Sequence, residues 1–462
     1  MTLITRRQFH KTALAAVAAA TLPTFAGANT VPVLRAREGS ARLAPSEYPE
    51  TRIWGYGGSV PGPVLRARRG ERMIQRLRND LPQATSVHWH GIRIKNEMDG
   101  VAGMTQSAVA PGEEFLYEFV LPDAGTYWYH PHNRTYEQMA RGLYGALIVH
   151  EGLDAPEVDM DEVLLIDDWR LTDQAQIAEG FGDMHDWAHA GRIGNWITVN
   201  GNSGWSREVP QHSRMRLRLV NTANAQIFAL ETRGLEGWIV ALDGMPLEAP
   251  QPLERLTLAP AQRADLIVDV MAGEGEGAFL ANIERDGGFA IAAFPVVGVK
   301  RQARLPAPGA LPPNPVPSLG PLETATRSKL RMEGGAMGGM RSAIMGGRTM
   351  DIRDMVAEGK VWAFNGIADM GENPLLEAAL GETVRIAMIN DTAWPHGMHL
   401  HGHHFRQIRA DGTVGPLRDT TLIDRGETVE IAFVADNPGD WLLHCHMLEH
   451  SAGGMMTWLR VG

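Results

Sequence analysis

The chain has 462 residues, with 54 acidic against 43 basic side chains and a hydrophobic fraction of 44%. That length suits about three domains, each able to bury a sizeable core. The negative balance argues against nucleic acid or an anionic membrane surface as partner.

The first stretch reads as a targeting segment. Thr5-Arg6-Arg7-Gln8-Phe9-His10-Lys11 has the form of a twin-arginine signal, followed by an Ala-rich run and by Ala26-Gly27-Ala28, a small-x-small cleavage site. The apolar run falls short of the roughly 20 residues that span a bilayer, and no later stretch is long and apolar enough. Residues 1–28 are therefore expected to direct export by the twin-arginine translocase to the periplasm and to be removed, leaving a net charge of about −14.

From residue 29 onward the same signals recur three times. Candidate opening strands carry Trp54-Gly55-Tyr56-Gly57-Gly58, Val199-Asn200-Gly201 and Phe364-Asn365-Gly366. Alternating strands ending in Asn follow: Glu71 to Asn79, Arg214 to Asn221 and Glu382 to Asn390. A period of two marks half-buried strands. Later strands follow turns at Pro111-Gly112, Pro260-Ala261 and Arg425-Gly426. The copies lie too far apart for a solenoid, so the reading is all-β, with three homologous β-sandwich domains. Their expected bounds are 29–152, 153–300 and 322–462. Between the last two, residues 301–321 form a stiff Pro-rich linker.

Four short motifs carry the chemistry. They are His88-Trp89-His90, His130-Pro131-His132, His399-Leu400-His401 with His396 just before it, and His444-Cys445-His446 followed by His450 and Met455. Residues i and i+2 of a strand point the same way, so each His-x-His can present two imidazoles to one metal cluster. His88 and His399 each lie nine residues after the strand-ending Asn, and His130 and His444 each lie five after a Gly. Domains one and three thus place their pairs at matching positions, and eight imidazoles can meet across one interface. That number serves two coppers with three His each and one with two. Domain two carries Leu230 and Thr232 instead and is expected to hold no copper.

Cys445 is the only cysteine, so its thiol has no disulfide partner within the chain. On a strand its sulfur points away from His444 and His446. With His396, His450 and a long axial Met455 it forms the blue-copper donor set. Zinc fits badly, since closed zinc sites favour four tetrahedral ligands richer in thiolate.

These motifs resemble the multicopper oxidase family over nearly the whole chain after the leader. The most specific piece is His444-Cys445-His446-x₃-His450-x₃-Gly454-Met455. The resemblance implies three cupredoxin domains of Greek-key topology. It implies a type 1 copper on His396, Cys445, His450 and Met455, and a type 2 copper on His88 and His399. It implies a type 3 pair, with one ion on His90, His130 and His446 and the other on His132, His401 and His444. The implied reaction couples one-electron oxidation of a reductant to the reduction of dioxygen to water. Asp99 matches an acidic position of the family's bacterial members and is a candidate proton relay, with Glu449 a second.

The substrate signal lies between residues 332 and 355, where Met332, Met337, Met340, Met345, Met350 and Met355 are interleaved with Gly and stand near Asp351 and Asp354. Thioethers are soft ligands suited to Cu(I), and the segment resembles the Met-rich insert of copper-efflux oxidases. A cuprous oxidase acting in copper tolerance is therefore expected. A laccase-like phenol oxidase is the alternative, and a non-catalytic scaffold of the same fold is disfavoured by the full ligand set.

Overall fold

The structure, a computed structural model, describes residues 31–152 and 155–462; the leader at 1–28 lies outside them. The Asn-terminated segments form strands Arg72–Asn79, Arg214–Asn221 and Thr383–Asn390. Each closing Asn does the same work. Asn79 Nδ2 donates to the carbonyls of Gln83 and Val109, Asn221 Nδ2 to those of Gln226 and Leu258, and Asn390 Nδ2 to those of Trp394 and Ile423. The side chain satisfies backbone acceptors that leave the ladder, which fixes the turn into the next strand.

Each of these strands runs parallel to an earlier one: Val33–Ala41, Met160–Trp169 and Thr326–Gly334. The opposite sheet of each unit also has a parallel edge, joining Leu65–Arg68 to Gly145–His150, Val209–Gln211 to Gly287–Val299, and Leu376–Ala378 to Met456–Val461. Parallel neighbours cannot come from hairpins, so each unit is a two-sheet Greek-key sandwich rather than a meander. The sheets have four and four strands in the first sandwich, six and five in the second, six and five in the third. The fold class is all-β with cupredoxin-like sandwiches, as the family resemblance implies.

Two expectations need correction. The segments ending at Tyr56, Val199 and Phe364 are not the opening strands. Each is a later strand folded back antiparallel on the true opening strand, in the third sandwich after an intervening hairpin. Asn200 and Asn365, with Gly201 and Gly366 after them, hold positive φ and make the turns that follow. The second surprise is Arg214–Asn221, which is buried on both faces instead of one. Its arginines are covered by ion pairs to Asp269, Asp265 and Asp161. The strand does alternate, but residues of the first sandwich and of the Pro-rich stretch cover its polar face.

The Pro-rich stretch has no strand of its own and is strapped to the surface. Asn314 exchanges two hydrogen bonds with the backbone of Ala124, and Arg93 and Arg69 donate to the carbonyls of Pro315 and Pro313. Among the described residues, no helix is long and apolar enough to cross a membrane.

Gly402 marks how tightly the third sandwich closes beside His401. Its φ is +67°, and a Cβ there would lie 2.4 Å from the Trp441 ring. Gly402→Ala is expected to cost about 2–4 kcal/mol, from backbone strain and overpacking together. A urea midpoint equal to that of the parent chain would contradict this.

Candidate metal centre

Strand pairing brings the histidine motifs together. His88–His90 pairs with Gly125–His130, setting His88 opposite His130. In the third sandwich His396–Leu400 pairs with Gly439–Cys445, setting His399 opposite His444 and Met398 opposite Cys445. All eight paired imidazoles face one space between the first and third sandwiches. The rings of His90, His130 and His446 lie with centroids 5.1–5.6 Å apart. Those of His132, His401 and His444 lie 5.1–5.2 Å apart. His88 and His399 complete the set at 5.9 Å from each other.

The protons on these rings are assigned by their partners. His88 Nδ1 donates to the Asp99 carbonyl at 2.8 Å, and His399 Nδ1 to the Asp419 carbonyl at 2.9 Å. His130 Nδ1 donates to the Pro131 carbonyl at 3.0 Å, and His444 Nδ1 to the Cys445 carbonyl at 2.9 Å. His401 Nδ1 donates to Asp99 Oδ2 at 2.8 Å. In each ring the opposite nitrogen, Nε2, is then a bare lone pair in the neutral form. Yet the lone pairs of His401 Nε2 and His444 Nε2 face each other at 3.1 Å, and His130 Nε2 lies 3.4 Å from the ring of His446, whose Nδ1 is buried without a partner among the described residues. His88 Nε2, His132 Nε2 and His399 Nε2 are buried with no partner among the described residues. Two facing lone pairs repel, and an orphaned buried acceptor is costly. A cation between them resolves both, so the donor set fits metal ions.

The rings are built to stay neutral. Burial, reinforced by neighbouring imidazoles, pushes His130, His132, His401, His444 and His446 well below the usual histidine range. Neutral imidazole is the form that binds metal.

Behind the same strand lies a second constellation. Cys445 Sγ is 3.6 Å from His396 Nδ1 and 3.9 Å from His450 Nδ1, and the two Nδ1 atoms are 3.1 Å apart. The outer nitrogens are occupied: His396 Nε2 by Thr392 Oγ1 at 2.8 Å, His450 Nε2 by the His189 carbonyl at 2.7 Å. Burial pushes the Cys445 thiol up to about 12, so near neutral pH the metal-free side chain holds its proton, which a bound cation would displace. Met455 is buried in the same core, and its carbonyl accepts from the Cys445 N–H at 3.1 Å. Trp362 packs on both rings, 4.5 Å from His450 and 5.2 Å from His396.

The two candidate acids differ in place. Asp99 is buried between the sandwiches, with one oxygen on His401 and the other 3.2 Å from His88 Nδ1. Glu449 is buried too, but Oε1 accepts from Asn224 of the middle sandwich and Oε2 has no partner among the described residues. Burial raises its carboxyl above the usual range.

The methionines do not form one cluster. Met332 lies on strand Thr326–Gly334 in the core of the third sandwich, and Met355 is buried in helix Ile352–Ala357. Met340 and Met350 pack against the Met355 core, and Met337 is exposed. Asp351 is spent as the cap of that helix, accepting from the N–H groups of Arg353 and Asp354, while Asp354 is exposed in its first turn. A hairpin, Ser342–Met345 with Arg348–Asp351, and the helix Ile352–Ala357 carry most of this segment.

Sequence motifs missed Asp419 and Arg263. Asp419 lies 3.4 Å from His90 Nε2 and takes a two-pronged ion pair from Arg263 at 2.8 and 2.5 Å. Burial alone would raise its carboxyl. Arg263, His399 and His90 hold it well below the usual range. Nothing local in either sequence marks the pair, since 156 residues separate them.

Multicopper oxidase family profiles match residues 38–153, 161–294 and 348–462. The chain is 30% identical to multicopper oxidase MmcO of Mycobacterium tuberculosis, over 87% of this chain and 82% of that one. It is 24% identical to a copper resistance protein A homolog of Pseudomonas syringae pv. tomato, over 87% and 88%. It is 26% identical to Laccase-1 of Cryptococcus neoformans, over 90% and 78%. The crystal structure of Lac15 from a marine microbial metagenome superposes with a TM-score of 0.77 at 42% identity, covering 93% of this chain and all of that one.

The lowered histidines make stability pH-dependent. Below about pH 6.5 an unfolded chain protonates these rings and the metal-free fold does not, so stability is full above that pH and falls as pH drops. The metal-free protein is expected to lose thermal stability steadily from pH 6.5 to 4. A flat profile over that window would show the rings to be ordinary surface imidazoles.

Proposed function

This chain belongs to the multicopper oxidase family, and on that premise we propose that it is a copper-tolerance enzyme, exported from the cytoplasm, that oxidises Cu(I) with dioxygen. It is an oxidoreductase with copper as cofactor. The observation that carries the finer reading is the facing of the proton-free His401 and His444 ring nitrogens across one buried space, with a thiol behind the same strand.

We assign one ion to His396, Cys445 and His450, with the buried Met455 of the same core as the fourth residue that would hold it. A second goes to His88 and His399. The remaining two go to the trios His90, His130, His446 and His132, His401, His444. Bound there, copper supplies one-electron transfer at the thiolate site and four-electron reduction of dioxygen to water at the three-ion cluster.

The chain's own residues supply orientation and protons. Asp99 and the Asp419 carbonyl fix the tautomers of His88, His401 and His399, so their Nε2 atoms are aimed before any ion arrives. Asp99 is buried within hydrogen-bond reach of two rings and is the better placed of the two acids to pass protons. Cys445 is covalently joined to His444 and His446, the shortest route between the two centres. The desolvated pocket formed by Trp362 and the sandwich core keeps water from the thiolate site.

The cuprous substrate is supported by the soft side chains near the third sandwich and by the copper-resistance relative. With Met332 and Met355 committed to the core, Met337, Met340, Met345 and Met350 are the thioethers left to meet a substrate ion.

Cys445→Ser is expected to lower copper content from four ions per chain to three, abolish the intense blue thiolate absorption and reduce Cu(I) turnover at least about a hundredfold. Metal analysis, an absorption spectrum and oxygen uptake read all three. A variant that kept its blue band would sink the assignment.

A further inference from the structure

His450 is completely buried, and its outer nitrogen is committed to the His189 carbonyl, so no reductant touches the ring that borders the thiolate site. What covers it is a short segment of the middle part of the chain, helix Met184–Ala188 and the residue after it. Three consecutive carbonyls of that segment face the third sandwich. Trp187 accepts from Trp362 Nε1 at 2.6 Å, Ala188 from the Ala336 N–H at 2.7 Å, and His189 from His450 at 2.7 Å. Trp394 Nε1 fastens the facing loop from the other side, donating to the Ala336 carbonyl at 3.1 Å.

The outer surface of this segment carries soft donors. His185 is exposed and stacks on His189, with centroids 4.2 Å apart and planes within 11°. His189 Nδ1 donates to the His185 carbonyl at 2.9 Å, which leaves Nε2 bare. Its ring also meets the Trp394 edge at 5.3 Å. Met337, next to the Ala336 that bonds this segment, is 78% exposed and held at a φ of +65°. A non-glycine residue there resists the left-handed region, and a large apolar side chain in water gains nothing by burial. Two imidazoles and a thioether are the donors that a soft monovalent cation selects.

We propose that His185, His189 and Met337 form the docking site for the substrate ion, and that its electron reaches His450 through the His189 carbonyl. This rests on the cuprous reading above. The docked Cu(I) loses one electron and leaves as Cu(II). The electron crosses the hydrogen bond to His450 and would reduce by one electron, from Cu(II) to Cu(I), the copper that His396, Cys445 and His450 would hold. Four such events, with four protons, match one dioxygen reduced to two waters. The role of His189 is divided: its ring binds substrate, and its backbone carries the electron.

That division makes the test clean, because His189→Ala removes the ring and keeps the carbonyl. Silver(I) serves as a cation of the same charge and softness that the enzyme does not oxidise. Calorimetric titration of the copper-loaded protein is expected to show one silver ion fewer in the double variant His185→Ala/His189→Ala than in the parent. Copper content and the blue absorption stay unchanged, and kcat/KM for Cu(I) falls at least about tenfold. Met337→Leu, similar in size without sulfur, should weaken silver binding by itself. Equal silver binding and equal kcat/KM in parent and double variant would overturn the docking site while leaving the cuprous reading intact. Loss of a silver ion in a protein whose parent does not oxidise Cu(I) would uphold the soft-cation site and remove the cuprous reading instead.

Discussion

The structure turns on one buried ion pair. Arg263 comes from the middle sandwich, and Asp419 from the third; both side chains are fully buried. The same guanidinium donates to the Thr126 carbonyl of the first sandwich at 3.3 Å, so a single side chain touches all three units. Asp419 in turn carries His399 on its carbonyl and lies beside His90. Removing one partner of such a pair strands the other charge in a dry interior, at a cost of about 3–5 kcal/mol. Here it would also release rings of two sandwiches. Gly91 records the tightness of the junction: a Cβ there would lie 2.2 Å from Arg263 Nη2.

Around that anchor, the strand period of two sorts the chemistry. Adjacent residues of one strand point to opposite sides, so Cys445 faces the core of its own sandwich while its histidine neighbours face the interface. The middle sandwich keeps the same frame with Leu230 in its core in place of an imidazole. It contributes the arginine, the strapping segment over His450 and the partner of Glu449. A unit with none of the motif histidines thus shapes both centres.

Much of this was legible in the chain. Alternation and a closing Asn located the central strand of each sandwich, because both reflect local backbone needs. The His-x-His spacing foretold which rings share a side, because that too is local geometry. What escaped the sequence depends on contacts between distant segments. Arg263 and Asp419 are single polar residues with no motif around them. Trp362 and His189 gain their meaning only where the sandwiches meet. Composition grouped the methionines of residues 332–355 as one donor set, while packing separates them. Met332 instead completes a strand paired with Phe364, and Met355 fills a small core of its own. The first strand of each sandwich was overlooked because the turn after its antiparallel partner gives the stronger signal.

The imidazoles that share the central space run from His88 to His446, and the strands bearing them are paired only within their own sandwich. No early portion of a growing polypeptide owns a finished set: the first sandwich alone supplies half the rings, pointing into water. During synthesis those four would be a loose, indiscriminate chelate, open to whichever ion arrived. Selectivity appears only after the last strand has left the ribosome and docked.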